Sequence, residues 1–153
     1  MKDEATIKML QELGAFILAG AAGKSDVAKM MRMLCEARGW RWAGVYKLTR
    51  GELVIVAGSH DEPVCYPEFP ATQGLCGAAV ESRSTIVVND VQKDPRYLPT
   101  FHSTKSEIVV PIISRSDKVV GVITAESEKL KAFTKEDREV IEKVALMMGQ
   151  AFK

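Results

Sequence analysis

Three cysteines, two histidines and two tryptophans carry most of the unusual chemistry open to this chain, and their spacing limits it. Cys35, Cys65 and Cys76 form no CxxC pair and no cysteine–histidine cluster, so a metal centre is not indicated; each thiol is either buried or redox-active. Cys35 ends the run Val27, Met30, Met31, Leu34, Cys35, which follows helical i, i+3, i+4 spacing, and it reads as core. Trp42 and Tyr46 stand four apart in a stretch of period two, so both side chains point to one side of a strand. There they either pack in the core or wall a pocket. His102 lies in an irregular segment, where it could serve as a general acid or simply face solvent. His60 has no partner visible in the sequence.

These residues need elements to position them. Residues 3 to 20 predict a helix with Ile7, Leu10, Gly14, Ile17 and Leu18 on its apolar face. After Gly20 and Gly23, Ser25 and Asp26 are placed to cap a second helix, which Gly39 ends. From Trp40 the period changes to two: Trp40, Trp42, Gly44, Tyr46 and Leu48 share one face, and Arg41, Ala43, Val45 and Lys47 the other. Arg50-Gly51 makes the turn of a hairpin with Glu52 to Ala57. His60 to Pro70 reads as a polar loop, Gln73 to Ser82 as a short helix, and Thr85 to Asn89 as a strand. Asp90 to Lys105, with Pro95 and Pro99, is a long irregular stretch of the kind that often carries function. Glu107 to Ile113 and Val119 to Glu126 form a second hairpin across Ser114–Asp117. A last helix starts at Thr134, with Asp137 at capping-box spacing, and its stripe is Ile141, Val144, Ala145, Met148 and Phe152. Two hairpins between terminal helices predict an α+β domain: an antiparallel sheet, helices on one side, and room for a pocket on the other.

Composition narrows the function classes. The 153 residues suit one domain over the whole chain, 46% hydrophobic and 27% charged, with 21 basic and 20 acidic residues. A chain this long buries roughly 70% of its unfolded surface without help from cross-links. No basic stripe is present, which argues against nucleic-acid binding. Nor is there an apolar run near the ~20 residues that span a bilayer, which argues against membrane insertion. Met1-Lys2-Asp3-Glu4 lacks the positive region of a secretory signal, so the expected location is the cytoplasm, with reduced thiols.

The succession Gly74-Leu-Cys-Gly77, Ile86-Val-Val-Asn-Asp-Val91, Ser106-Glu-Ile-Val-Val-Pro-Ile112 and Gly121-Val-Ile-Thr-Ala-Glu-Ser127 resembles a GAF domain. Together with Trp42-Ala-Gly-Val-Tyr46, it is similar to the free methionine-(R)-sulfoxide reductases in particular. The resemblance implies a profilin-like antiparallel sheet of about six strands, with a ligand pocket on the face away from the terminal helices. It implies that Trp42 and Tyr46 are aromatic walls of that pocket and that Glu107 binds the substrate's amino group. Glu126 falls where these enzymes have an aspartate with the same task, and Thr124 where they often have another. Cys76 and, with one extra residue between them, Cys65 match two of the reductase cysteines. The third, which attacks the sulfoxide, matches Thr100, a hydroxyl far less nucleophilic than a thiolate.

Three readings follow. The first is a binding domain for a free amino-acid-like ligand that kept the pocket and lost the nucleophile. The second is a working reductase in which the helix start activates Cys76, Cys65 resolves it and thioredoxin recycles the pair. The third is a dimeric signalling or interaction module, pairing through its terminal helices. None calls for a cofactor or a metal, and a homodimer is expected under each.

Overall fold

The computed structural model describes residues 3–151. Helix α1 (Glu4–Leu18) is capped by Asp3, whose side chain accepts from the Thr6 amide at 2.8 Å. Helix α2 (Lys24–Arg38) begins one residue before the expected caps. Gly23 is its N-cap, and Asp26 lies inside the first turn, accepting from the Gly23 amide at 3.1 Å. Gly39 ends it in the left-handed conformation, φ 72°. Its buried residues are Val27, Met30, Met31, Leu34 and Cys35, the stripe read from the sequence.

The strands β1 (Trp42–Thr49), β2 (Glu52–Gly58), β3 (Glu68–Pro70), β4 (Ile86–Val88), β5 (Ser106–Ile113) and β6 (Val119–Ser127) form one antiparallel sheet in the order β3-β2-β1-β6-β5-β4. The β1–β2 hairpin turns at Arg50-Gly51, both at positive φ. Helix α3 (Gly74–Ser82) and helix α4 (Lys135–Ala151) complete the element order. At the start of α4 both halves of the capping box form: the Thr134 amide donates to Asp137 at 2.8 Å, and the Asp137 amide donates to the Thr134 hydroxyl at 3.1 Å.

The sheet divides two cores. On one face, Ala43, Val45, Ile108, Val110, Ile123 and Ala125 pack against α2 and α4, and α1 packs on those two helices. On the other, Trp42, Tyr46, Val109 and Val122 pack against Leu75, Cys76 and Ala79 of α3 and against Phe69, Val91 and Phe101. Alternation along each strand produces this split, since successive side chains point to opposite faces. The second face is therefore covered by α3 and two loops.

Four expectations need correction. In α1 the buried residues are Thr6, Met9, Leu10 and Leu13, while Ile7 and Leu18 are exposed. The helix leans on α2 and α4 rather than on the sheet, and that packing selects the face. Trp40 does not share the Trp42 face. It lies before β1, in the helix-side core, with its ring against Phe133 and its indole N–H donating to Asp137 at 3.2 Å. The stretch from His60 to Pro70 is not wholly loop, because Glu68–Pro70 pairs with β2 as the edge strand. The 90–105 stretch begins with a 3₁₀ turn, Val91–Lys93. Phe152, expected in the α4 stripe, lies outside the described residues.

Candidate functional site

The register across β1, β6 and β5 assembles the site. Trp42 pairs with Glu126, and Glu126 with Glu107, so one row of the sheet carries an indole and two carboxylates. The next row carries Gly44, Thr124 and Val109. Tyr46 follows on the same face, four residues from Trp42 and equally buried. The aromatic and acidic residues picked from the sequence thus face one compartment.

Facing carboxylates on neighbouring strands repel unless a proton or a cation intervenes. Here both are buried, Glu107 at 2% and Glu126 at 0% exposure. Glu107 accepts one hydrogen bond, from the Thr124 hydroxyl to Oε2 at 2.8 Å, and its Oε1 has no partner. Glu126 accepts one from the Thr104 hydroxyl to Oε1 at 2.7 Å, and its Oε2 has none. The Trp42 indole N–H is likewise buried without a partner. Burial, followed by the neighbouring Glu126 charge, drives the Glu107 carboxyl well above the ordinary range. Burial lifts Glu126 to about 7, against the opposing influence of the Thr100 and Thr104 hydroxyls and the charge of Arg41. The pair therefore holds a proton more readily than two separate carboxylates would.

The indole lies flat on the sheet, and glycine makes this possible. A Cβ on Gly44 would come within 2.3 Å of the Trp42 ring, and one on Gly58 within 2.7 Å. Phe101 packs edge-on against Trp42 with ring centroids 5.1 Å apart, and Phe69 does the same against Tyr46 at 5.5 Å. Burial also raises the Tyr46 hydroxyl far above its usual range.

Thr100 sits at the mouth of the compartment. Together with Tyr46, Cys76, Leu98, Pro99 and Glu107 it lines a hollow of about 10 Å³, room for about one water. Wider hollows exist elsewhere, of about 400 Å³ between α1 and α4 and about 360 Å³ beside the β4 edge. Neither is lined by a buried polar side-chain atom that lacks a partner. A further hollow, of about 260 Å³, lies against Trp42 beside Gly58, His60 and Val64, and the small hollow carries the open Glu107 carboxylate.

The cysteines separate by environment. Cys35 is in the helix-side core, where burial raises its thiol to about 11. Cys76 lines the hollow. Burial, then the charges of Glu107 and Glu126, push its thiol well above the usual range, so its place near the α3 start does not make it a thiolate. Cys65 is exposed, with its sulfur 3.8 Å from His102 Nε2. Its amide donates to the Thr100 carbonyl at 2.9 Å, which ties the two loops together. All three thiols are free. His60 finds a partner after all: its Nδ1 is 2.8 Å from the Ser59 hydroxyl.

Sequence reasoning missed Thr104, which holds Glu126, and Tyr97, Phe101 and Arg41 around the mouth. All but Arg41 come from the irregular stretch, and only its length marked it.

Comparison with known proteins agrees with this layout. Over 111 residues the chain is 34% identical to the free methionine-R-sulfoxide reductase of Saccharomyces cerevisiae, a match covering 72% of this chain and 62% of the yeast protein. The chain thus spans less than two thirds of that relative's length. The structure of the free methionine-R-sulfoxide reductase from Neisseria meningitidis, in complex with its substrate, superposes with a TM-score of 0.88 at 28% identity, over 99% of this chain and 92% of that one. The type II enzyme from Thermoplasma acidophilum gives 0.79 at 32% identity, over 84% and 90%. The GAF domain family model matches residues 27–152, which takes in every strand, the row of Trp42, Glu126 and Glu107, and the hollow beside it. Sheet order, site and family model agree, and the chain belongs to the GAF domain family.

Proposed function

We propose that this chain binds a small amino-acid-like molecule, with its ammonium group between Glu107 and Glu126 and its apolar end against Trp42 and Tyr46. Free methionine sulfoxide, the substrate of similar proteins, is the first candidate. The observation that carries the reading is the pair of open carboxylate oxygens, Glu107 Oε1 and Glu126 Oε2, buried on facing strands. An ammonium group has three donors and one positive charge, so it supplies both missing hydrogen bonds and replaces a proton held by the pair. Thr124 and Thr104 fix the other oxygens and aim the open ones, while Thr100 lies beside the Tyr46 hydroxyl and Glu126.

Binding rather than reduction is favoured because position 100 offers a hydroxyl and Cys76 is held as a thiol. The second reading, a reductase using Cys76 and Cys65 with thioredoxin recycling, draws support from Cys65. Its thiol is exposed beside His102, on a segment bonded to Thr100. A homodimer through α1 and α4 fits both readings. Exposed Leu18 lines the apolar hollow between these helices, together with Gly14, Ile17 and Met147.

One experiment separates the two. The protein is heated with and without free methionine-(R)-sulfoxide, and in parallel incubated with it and dithiothreitol while methionine is followed. Stabilisation without turnover, lost in Glu107→Gln, supports the binding domain. Turnover abolished by Cys76→Ser or Cys65→Ser supports the reductase. Neither stabilisation nor turnover removes this ligand from consideration.

A further inference from the structure

The hollow at Glu107, about 10 Å³, is far below the ~300 Å³ and more typical of ligand pockets, so an occupant enters only if part of its wall moves. The wall that can move is the 98–101 segment. Leu98, Pro99 and Thr100 cover the hollow over Cys76, and Phe101 fills the place beside Trp42 where an apolar ligand end would lie.

One side chain holds that segment down from outside. The Arg41 guanidinium lies over the Phe101 ring, 4.9 Å from its centroid. Its NH2 donates to both oxygens of Glu62, at 3.0 and 2.9 Å, and its Nε lies 3.3 Å from Glu128. Glu62 belongs to the loop after β2 and Glu128 follows β6, so Arg41 fastens three separate chain segments at one point. Three further links hold the covering segment: the Cys65 amide to the Thr100 carbonyl, and the Tyr97 hydroxyl and the Thr104 amide to the Phe101 carbonyl at 3.3 and 3.4 Å. Arg41 itself is only 24% exposed.

We infer that Arg41, with Glu62 and Glu128, is a latch that keeps Phe101 seated against Trp42, and that its release opens the ligand compartment. The closed form then lowers apparent affinity by the fraction of molecules that are open, and weakening the latch raises that affinity with no change in ligand contacts. Its meaning as a ligand gate rests on the function proposed above; its test needs no ligand.

The three thiols supply that test. Cys76 lies beneath the covering segment, whereas Cys35 lies in the core beneath the helices and reports opening of that core. In a Cys65→Ser background, modification of Cys76 and Cys35 by N-ethylmaleimide is followed site by site with mass spectrometry. The readout is the ratio of the two rates, which cancels any loss of global stability. Arg41→Gln, and separately the pair Glu62→Gln with Glu128→Gln, is expected to raise the Cys76-to-Cys35 ratio about five- to thirtyfold, the effect of losing one or two kcal/mol of local stability. A ratio that stays the same or falls in both variants overturns the latch. If methionine sulfoxide fails to bind while the ratio rises as expected, the latch stands and the ligand assignment fails.

Discussion

Replacing Glu126 with glutamine removes one charge from the buried pair and keeps the acceptor for Thr104. The carboxyl lies at about 7 in the fold against an ordinary 4.5, which corresponds to about 3 kcal/mol of stability set against its ionisation. The folded state holds this proton more tightly than the unfolded chain. The penalty is therefore absent below pH 4.5, grows as pH rises, and is complete above about 7. Glutamine carries no such penalty. In urea denaturation at pH 5, 6, 7 and 8, the variant is expected to lie within about 1 kcal/mol of the wild type at pH 5 and to gain about a further 1–3 kcal/mol on it by pH 8, with equal m-values. The surface carboxylates Glu128 and Glu136 lie below their ordinary range, but they are common to both proteins and cancel in the difference. A difference that does not vary with pH, or a variant less stable than the wild type at pH 8, refutes the reasoning about the buried pair.

Other consequences are open to direct measurement. Gly44→Ala places a methyl group into the Trp42 ring and is expected to cost about 1–3 kcal/mol in denaturant unfolding, with altered tryptophan emission from the native state. Thr100→Cys restores a thiol at the mouth of the compartment and is expected to confer, or raise, dithiothreitol-dependent reduction of free methionine-(R)-sulfoxide; no gain in turnover means that the mouth is not where the sulfoxide sits. Leu18→Glu together with Met147→Glu puts charge into the apolar hollow between α1 and α4. Light scattering should then show a monomer where the wild type gives a dimer, and a wild-type monomer removes the dimer from the account.

How much could be read in advance depended on whether a residue's environment was set locally. The α2 stripe was legible because the i, i+3, i+4 rule and a single glycine stop fix it without reference to the rest of the chain. In α1 apolar residues occur nearly all round the helix, and only contact with α2 and α4 decides that Leu13 is buried and Leu18 is not. Trp40 and Trp42 look alike in a pattern of period two, yet β1 starts between them, and the Asp137 carboxylate draws the first indole to the helix side. The β3 strand, three residues ending in proline, is too short to leave a periodic signal. For the site, the motifs on β1, β5 and β6 singled out Trp42, Tyr46, Glu107, Thr124 and Glu126, and strand register carries them to one face of the sheet. The residues that close the compartment, Arg41, Tyr97, Phe101 and Thr104, were not legible. Three lie in an irregular stretch whose path follows from packing, and Arg41 looked like an ordinary solvated strand residue.

Calorimetric titration of the protein with free methionine-(R)-sulfoxide, repeated at pH 6.5 in buffers of different ionisation enthalpy, tests the central claim most directly. One molecule is expected to bind per chain, with a net release of protons as the ammonium displaces the proton of the carboxylate pair. Affinity is expected to strengthen as pH rises from 6 to 8, and both effects to be lost in Glu107→Gln. Binding without proton release, or binding that survives Glu107→Gln unchanged, would contradict the claim.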